Sequence, residues 1–393
     1  MRPSRLRTVA VAAALELLLA LPLAAVAAEA DKTCGQPGQW LIPGKAAGNP
    51  AAAALSSAAL IERIADRQAV LLGEAHDSAE DHRWQLHTLA QLHARRPQLA
   101  LALEMFPRRL QPVLDRWVAG ELAETEFLRQ AEWEKVWGFD ARDYLPLFHF
   151  ARMNRLPMLA MNVERTLVDA VAREGWDAVA ESKKEGISRP AKPSAGYLKF
   201  LRRIFEHHPE KTKGEKAFAT FAEAQTVWDR GMAQIIAEQL GRQPDSLVVG
   251  ILGAGHVRHG YGVAHQLRDL GVGRVATLVT WKQAEACSGI AADLADAVRI
   301  IAPPADNPPR LGISMEVEKD GVRIVSVVAG SIAEKSGIKP DDLVVEARGL
   351  PVRDMQALRY AVQRQTAGTW LPLKVKRGSE ELEIVVRFPV DSQ

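Results

Sequence analysis

The chain has 393 residues, with 50 Lys+Arg against 48 Asp+Glu, two cysteines and 47% hydrophobic residues. That balance excludes a disordered or collagenous chain and a polytopic membrane protein, and its length accommodates about two or three domains. A formal charge of +2 with both signs interspersed offers no basic patch for a phosphate backbone, so no nucleic-acid partner is expected.

At the start of the chain, Arg2, Arg5 and Arg7 precede an apolar stretch that is interrupted by Glu16 and resumes from Leu17 to Ala28. Ala25-Val26-Ala27 and Ala28-Glu29-Ala30 supply small-x-small cleavage sites, so residues 1–30 read as a secretory signal peptide. The uninterrupted apolar run is about 12 residues, short of the roughly 20 that span a bilayer. No later stretch is long and apolar enough to cross a membrane, so the mature chain is expected in the periplasm or cell envelope of a bacterium, soluble or peripherally attached. Asp31-Lys32-Thr33 before Cys34 is not the small apolar run of a lipoprotein. In an oxidising compartment Cys34 and Cys287 could form one disulfide.

After a lead-in over residues 31–54, Leu55 to Ala65 has helical spacing. Short apolar runs then alternate with longer amphipathic ones: Ala69–Leu72, Leu99–Leu103, Pro157–Ala160, Leu247–Leu252 and Val275–Val279 as strands; Ala79–Arg96, Leu110–Trp117, Tyr144–Asn154, Leu167–Glu174 and Ala217–Leu240 as helices. Asp77-Ser78-Ala79-Glu80 resembles a capping box. The alternation predicts an α/β domain over 55–285, a central mainly parallel sheet flanked by helices.

Four of these strands deliver ionisable or polar residues at their carboxyl ends: Glu74 and His76, Glu104, Asn162, and His256. In a parallel sheet those ends line the ligand crevice, so residues distant in sequence converge there. Gly73, Gly253 and Gly255 suit the tight turns that follow. On the Ala217–Leu240 helix, Gln225 and Asp229 interrupt an apolar stripe, and polar groups so placed need partners. His82, His87 and His93 read as a solvated helix face, although His82 could lean over the site. His207, His208, His259 and His265 are weaker candidates. Trp133, Trp137 and Phe139 form an aromatic cluster, either core or a pocket wall. All ten histidines lie between His76 and His265.

These segments resemble the successive motifs of the ChaN-like haem-binding uptake family of the Tiki superfamily. The resemblance is carried by Gly73-Glu74-Ala75-His76, Leu103-Glu104-Met105-Phe106, Trp133-x3-Trp137-Gly138-Phe139-Asp140 with Tyr144, Asn162, Ala224-Gln225-x3-Asp229-x2-Met232-Ala233 and Gly253-Ala254-Gly255-His256-Val257. It implies an exported α/β domain that takes haem or a related iron ligand, with Glu74, His76, Glu104, Asn162, Gln225, Asp229, His256 and Tyr261 as candidate ligand-binding residues. The superfamily also contains metal-dependent peptidases and resembles erythromycin esterases in site layout. The alternative is therefore a hydrolase, with Glu74, His76, Glu104 and His256 catalytic, or with His76, Glu104 and His256 holding zinc or manganese. Haem-binding members are lipoproteins that ligate iron through tyrosine. This chain departs from that pattern, and none of Tyr144, Tyr197, Tyr261 and Tyr360 is assignable as the ligand.

Pro303-Pro304 and Pro308-Pro309 mark a stiff linker, read as residues 286–308. Beyond it, residues 309–390 resemble a bacterial PDZ domain: Leu311-Gly312-Ile313-Ser314, Gly321 to Val327, Ser331 to Asp342, a helix from Met355 to Gln363 and two alternating strands. Asp341 stands where that family has glycine. The resemblance implies a peptide or protein C-terminus docking by strand addition, with Leu311, Gly312, Ile313 and Ser314 at the peptide. The alternative is a fold kept for packing or for dimerisation; a dimer is compatible with the sequence.

Overall fold

Short runs of Val, Leu, Ile and Ala form strands that are buried on both faces. In the computed structural model, which describes residues 34–44, 54–206, 214–302 and 309–390, they fall in two units that divide between Ala302 and Pro303. The signal-peptide segment, His207, His208 and the prolines at 303, 304 and 308 lie outside the described residues.

In the first unit, β1 (Trp40–Leu41) and β2 (Ala54–Leu55) form a small antiparallel edge. β3 (Ala69–Glu74), β4 (Leu99–Pro107), β5 (Met158–Asn162), β6 (Leu247–Gly253), β7 (Val275–Lys282) and β8 (Ala297–Ile301) run parallel. The sheet order is β2-β1-β8-β7-β3-β6-β4-β5. Alternate residues feed opposite cores: Val70 and Leu72 pack on one face, Ala69 and Leu71 on the other. This is why the strands read as continuous apolar runs.

Two features differ from the expectation. β8 lies inside the stretch read as linker and pairs with β7 from Leu278↔Ala297 to Lys282↔Ile301. Its Ala-Val-Arg-Ile-Ile run is a buried strand, and the prolines that follow drew the boundary too early. The helix Ala79–Arg95 starts where expected, but its N-cap is Ser78, one residue after the Asp77 of the capping-box reading: Ser78 accepts from Asp81 N, while the Asp81 carboxylate turns back to Ala75 N (2.7 Å).

Cys34 and Cys287 form a disulfide that ties the start of the described chain to the segment between β7 and β8. The open edge of β5 is blocked by Gln111, whose amide donates to Met158 O and accepts from Ala160 N, both at 2.8 Å.

The longest helix, Glu215–Arg242, crosses the end of β5 at Gly231, where a Cβ would overlap Val163 Cγ1. Gly231→Ala should therefore lower stability by about 1–2 kcal/mol in urea unfolding, overpacking outweighing the helix-propensity gain of about 1 kcal/mol. An unchanged or raised unfolding midpoint would show that Val163 simply moves aside.

The second unit is an antiparallel sheet ordered β14-β13-β11-β10-β9: β9 (Ile313–Glu318), β10 (Gly321–Val327), β11 (Leu343–Ala347), β13 (Trp370–Arg377) and β14 (Glu380–Arg387), with β12 (Leu350–Pro351) on β11. The helix Met355–Gln363 closes its core through Leu358, Ala361 and Val362. Asp341 has φ 67°, the left-handed conformation that glycine would adopt without strain. Next to it, buried Asp342 accepts two hydrogen bonds from Arg377 (2.7 and 2.8 Å).

Candidate functional site

The parallel register carries β3, β4 and β6 to the same end of the sheet, and Glu74, His76, Glu104 and His256 gather there. Asp229 joins them from the Glu215–Arg242 helix. Glu74 is buried and fully engaged: His76 Nδ1 lies 2.9 Å from Oε1, Gln85 Nε2 donates to Oε2 at 2.8 Å, and the Tyr144 hydroxyl sits 2.9 Å from Oε1. His82 completes this half, with Nε2 donating to His76 O (3.1 Å) and Nδ1 3.3 Å from Glu74 Oε2. His82 is thus buried, which overturns the solvated-face reading; its neighbours Tyr144 and Gln85 were not predicted as its partners.

In the other half, His256 Nδ1 is 2.7 Å from Asp229 Oδ1, and its Nε2 faces Glu104 Oε1 at 3.6 Å. Tyr197 OH donates to Asp229 Oδ2 (2.6 Å), and Gly253 N donates to Glu104 Oε2 (2.6 Å). Gly262 must be glycine here, because a Cβ would lie 2.6 Å from Asp229 Oδ1. Gly73 is constrained in the same way by Ala254 Cα at 3.0 Å, whereas Gly255 faces open space and meets no such demand.

The charges follow from these contacts. Burial works to raise the Glu74 pKa, but hydrogen bonds and charge from His76 and His82 outweigh it and hold the carboxyl at about 2. Burial works to lower His256, yet the Asp229 carboxylate and then Glu104 push it up to about 9. His76 and His82 are likewise raised against burial, chiefly by Glu74. Asp81 is raised to about 6 by burial, against the opposing hydrogen bond from Ala75 N.

The remaining predicted residues lie apart from this cluster. Asn162 donates to the backbone O of Glu104 (2.6 Å) and accepts from Val163 N, so it ties β5 to β4. Gln225 is half-buried one turn before Asp229 and makes no bond to the cluster among the described residues. The metal assignment of His76, Glu104 and His256 needs correction. Among the described residues no three His, Cys, Asp or Glu are arranged to hold an ion, and both His256 nitrogens are turned to carboxylates. Trp137 and Phe139 pack on the His76 ring at 4.7 and 5.2 Å, so the aromatic cluster is both core and site wall.

Tyr261 stands at the edge of a second feature. Its ring stacks on His259 (4.9 Å, 20°) on one side and approaches Tyr197 (6.0 Å) on the other. His259 lines a groove of about 610 Å³ with Phe200, Arg203, Arg258, Trp281 and Leu294. That size falls within the roughly 300–1,000 Å³ of small-molecule sites. His259 is held at φ 59°, a conformation that a non-glycine residue keeps only where its surroundings enforce it. Here the enforcement includes its N–H donating to Leu294 O (2.7 Å), and Asp293 Oδ1 stands 3.1 Å from Nδ1, off the direction of a hydrogen bond. Arg258 Nε is buried with no hydrogen-bond partner among the described residues.

A family model described as haem-binding uptake, Tiki superfamily, ChaN matches residues 60–267, just over half of the chain. The chain belongs to this family. A PDZ domain model matches residues 309–387 of the same chain. A solved structure described as cofacial heme binding to ChaN of Campylobacter jejuni superposes with a TM-score of 0.52 at 18% identity, over 67% of this ChaN-family chain and 96% of that one, which shows a shared fold. Protein RETICULATA-RELATED 5, chloroplastic, of Arabidopsis thaliana is 27% identical over 230 residues, 54% of this chain and 30% of the relative. A probable periplasmic serine endoprotease, DegP-like, of Chlamydia muridarum is 41% identical over 66 residues, 17% of this chain and 13% of the relative. The chain therefore spans less than a third of the length of these curated relatives.

Which of the two features fits the family's ligand is decided by their chemistry. Haem presents a flat apolar ring, two carboxylates and an iron that takes an axial nitrogen, oxygen or sulfur. The strand-end cluster is polar and bonded within itself. The groove instead offers Phe200, Trp281 and Leu294 for the ring, two guanidiniums for carboxylates, and an imidazole. The residues of the groove fit haem.

In the PDZ unit, Leu311 is buried, Gly312 takes φ 78°, and Ile313 opens the edge strand β9. Ser314 faces outward and pairs with Ser326 (2.5 Å).

Proposed function

We propose that the first unit binds haem or a related iron tetrapyrrole in the groove beside Tyr261, and that the PDZ unit docks a peptide C-terminus. The reading rests on the groove's pairing of aromatic walls with Arg203, Arg258 and His259. His259 would offer Nε2 to the iron, with the Asp293 carboxylate 3.1 Å from Nδ1 as a counter-charge behind the ring, and the arginines would meet the propionates. This moves the ligand from the strand-end crevice expected from sequence to the groove. An oxidising envelope compartment is part of this proposal, and the Cys34–Cys287 disulfide supports it. Among the described residues no helix is long and apolar enough to cross a membrane. Titrating the purified chain with haem should give a saturable visible absorption band at one equivalent; no band at any concentration would end the proposal.

A second reading, acid–base hydrolysis at the strand ends, is favoured by one observation. His76 keeps Nδ1 on Glu74 while its side chain stays 30% exposed, beside the Glu104 carboxylate. Ester or peptide hydrolysis that is lost in His76→Ala and retained in His259→Asn would support it. A panel of esters and peptides left intact by the wild-type chain would remove it.

A further inference from the structure

We infer that, among the C-terminal peptides it docks, the PDZ unit prefers those with basic residues fourth and sixth from the end. This rests on the docking reading above and goes beyond it to the chemistry of the partner. β9 is the terminal strand of its sheet, so its outer edge is where a peptide strand would add. Leu311 N and Gly312 N, in the turn before β9, have no backbone acceptor among the described residues. A carboxylate received there fixes the peptide's end at the start of β9, so the peptide runs antiparallel to the strand.

The pleat then separates the side chains into two rows. One row of β9, Ile313, Met315 and Val317, lies on the core side: Met315 pairs with Ile324 and Val317 with Val322, both fully buried, while Val317 itself is 51% exposed. The Met355–Gln363 helix packs on β9 along this face, and Met355 at its start is 38% exposed. The last and third-last peptide side chains point there and meet apolar surface.

The other row is Ser314, Glu316 and Glu318. Glu316 and Glu318 reach a single cation, Arg323, at 2.9 and 2.6 Å, and Asp341 stands 3.5 Å from the same guanidinium. Among the described residues these three carboxylates share one arginine, an excess of about two negative charges around it. The second, fourth and sixth residues from the peptide end face that row, opposite Ser314, Glu316 and Glu318 in turn. Basic side chains at the fourth and sixth positions supply the missing charge.

The test is fluorescence anisotropy on the full chain with three octapeptides, identical in apolar last and third-last residues, and carrying lysine, serine or glutamate at the fourth and sixth positions from the end. Lysine should bind about 3-fold tighter than serine per position, close to 10-fold for both, and glutamate weakest. The spread should collapse in 0.5 M salt and in Glu316→Gln/Glu318→Gln. Equal affinity of the three peptides, or a preference for glutamate, overturns the inference while leaving docking intact. Binding of none of them, or of a broad C-terminal peptide library, overturns the docking reading itself.

Discussion

Replacing His259 by asparagine is expected to cost the first unit at least tenfold in haem affinity and to move the position of the visible absorption band. Asparagine is the substitution to use because position 259 sits at φ 59°, where Asn is tolerated far better than Ala, so the backbone is disturbed least. Band position reads the identity of the iron ligand and does not respond to a purely structural change elsewhere. Asp293→Ala should act in the same direction but less, about 3-fold in affinity, since it removes a charge behind the imidazole and leaves the imidazole in place. Removing the guanidinium in Arg258→Met should weaken binding without moving the band. If His259→Asn leaves both affinity and spectrum unchanged while Tyr261→Phe or His76→Ala abolishes them, the ligand belongs elsewhere in the unit.

The second large effect concerns stability. Asp229 is fully buried and holds both Tyr197 and His256, so Asp229→Ala leaves a buried imidazolium without its main counter-charge. Breaking a buried pair in this way costs about 3–5 kcal/mol. The pH dependence separates charge from packing. In the folded chain His256 stays protonated up to about pH 9, against an unfolded-state value of 6.5. The folded state therefore binds more protons between those values, and the stability this gives is complete below pH 6.5 and lost as pH rises through 9. His76 and His82, raised by Glu74, contribute with the same sign, so the comparison must be with a variant. Asp229→Asn, which keeps the shape, should flatten the loss between pH 6.5 and 9 in denaturant unfolding. A profile identical to wild type would show that His256 is not held charged by Asp229.

The sheet was legible because parallel strands covered on both faces must be apolar throughout, and Leu99 to Leu103 or Leu247 to Leu252 stand out as such. β8 escapes the sequence reading because its run contains Arg299 and lies two residues before prolines. In the site, strand-end placement led to Glu74, His76, Glu104 and His256, and helical periodicity led to Asp229. Tyr197 and Gln85 are not identified as partners from sequence, and His82 only as a residue that could lean over the site, because periodicity identifies a face but not which side chain reaches across to a carboxylate. The groove was harder still. The sequence ranks His259 among the weaker histidines, and nothing in it brings Arg203, Trp281 and Leu294 beside it; only the packing of the Ala195–Glu206 helix, the end of β7 and the loop before β8 does so. That Arg258 Nε is buried with no hydrogen-bond partner among the described residues has no sequence signature at all.

The Cys34–Cys287 bond fastens the segment that also carries Gly289, Asp293 and Leu294, the wall behind His259. One side of the groove is thus moored to the N-terminal segment more than 250 positions away by a link that an oxidising environment creates and a reducing one removes. The groove proposed for haem is therefore expected to hold its ligand less tightly once this bond is reduced and the thiols are alkylated, which a haem titration of the two forms reads.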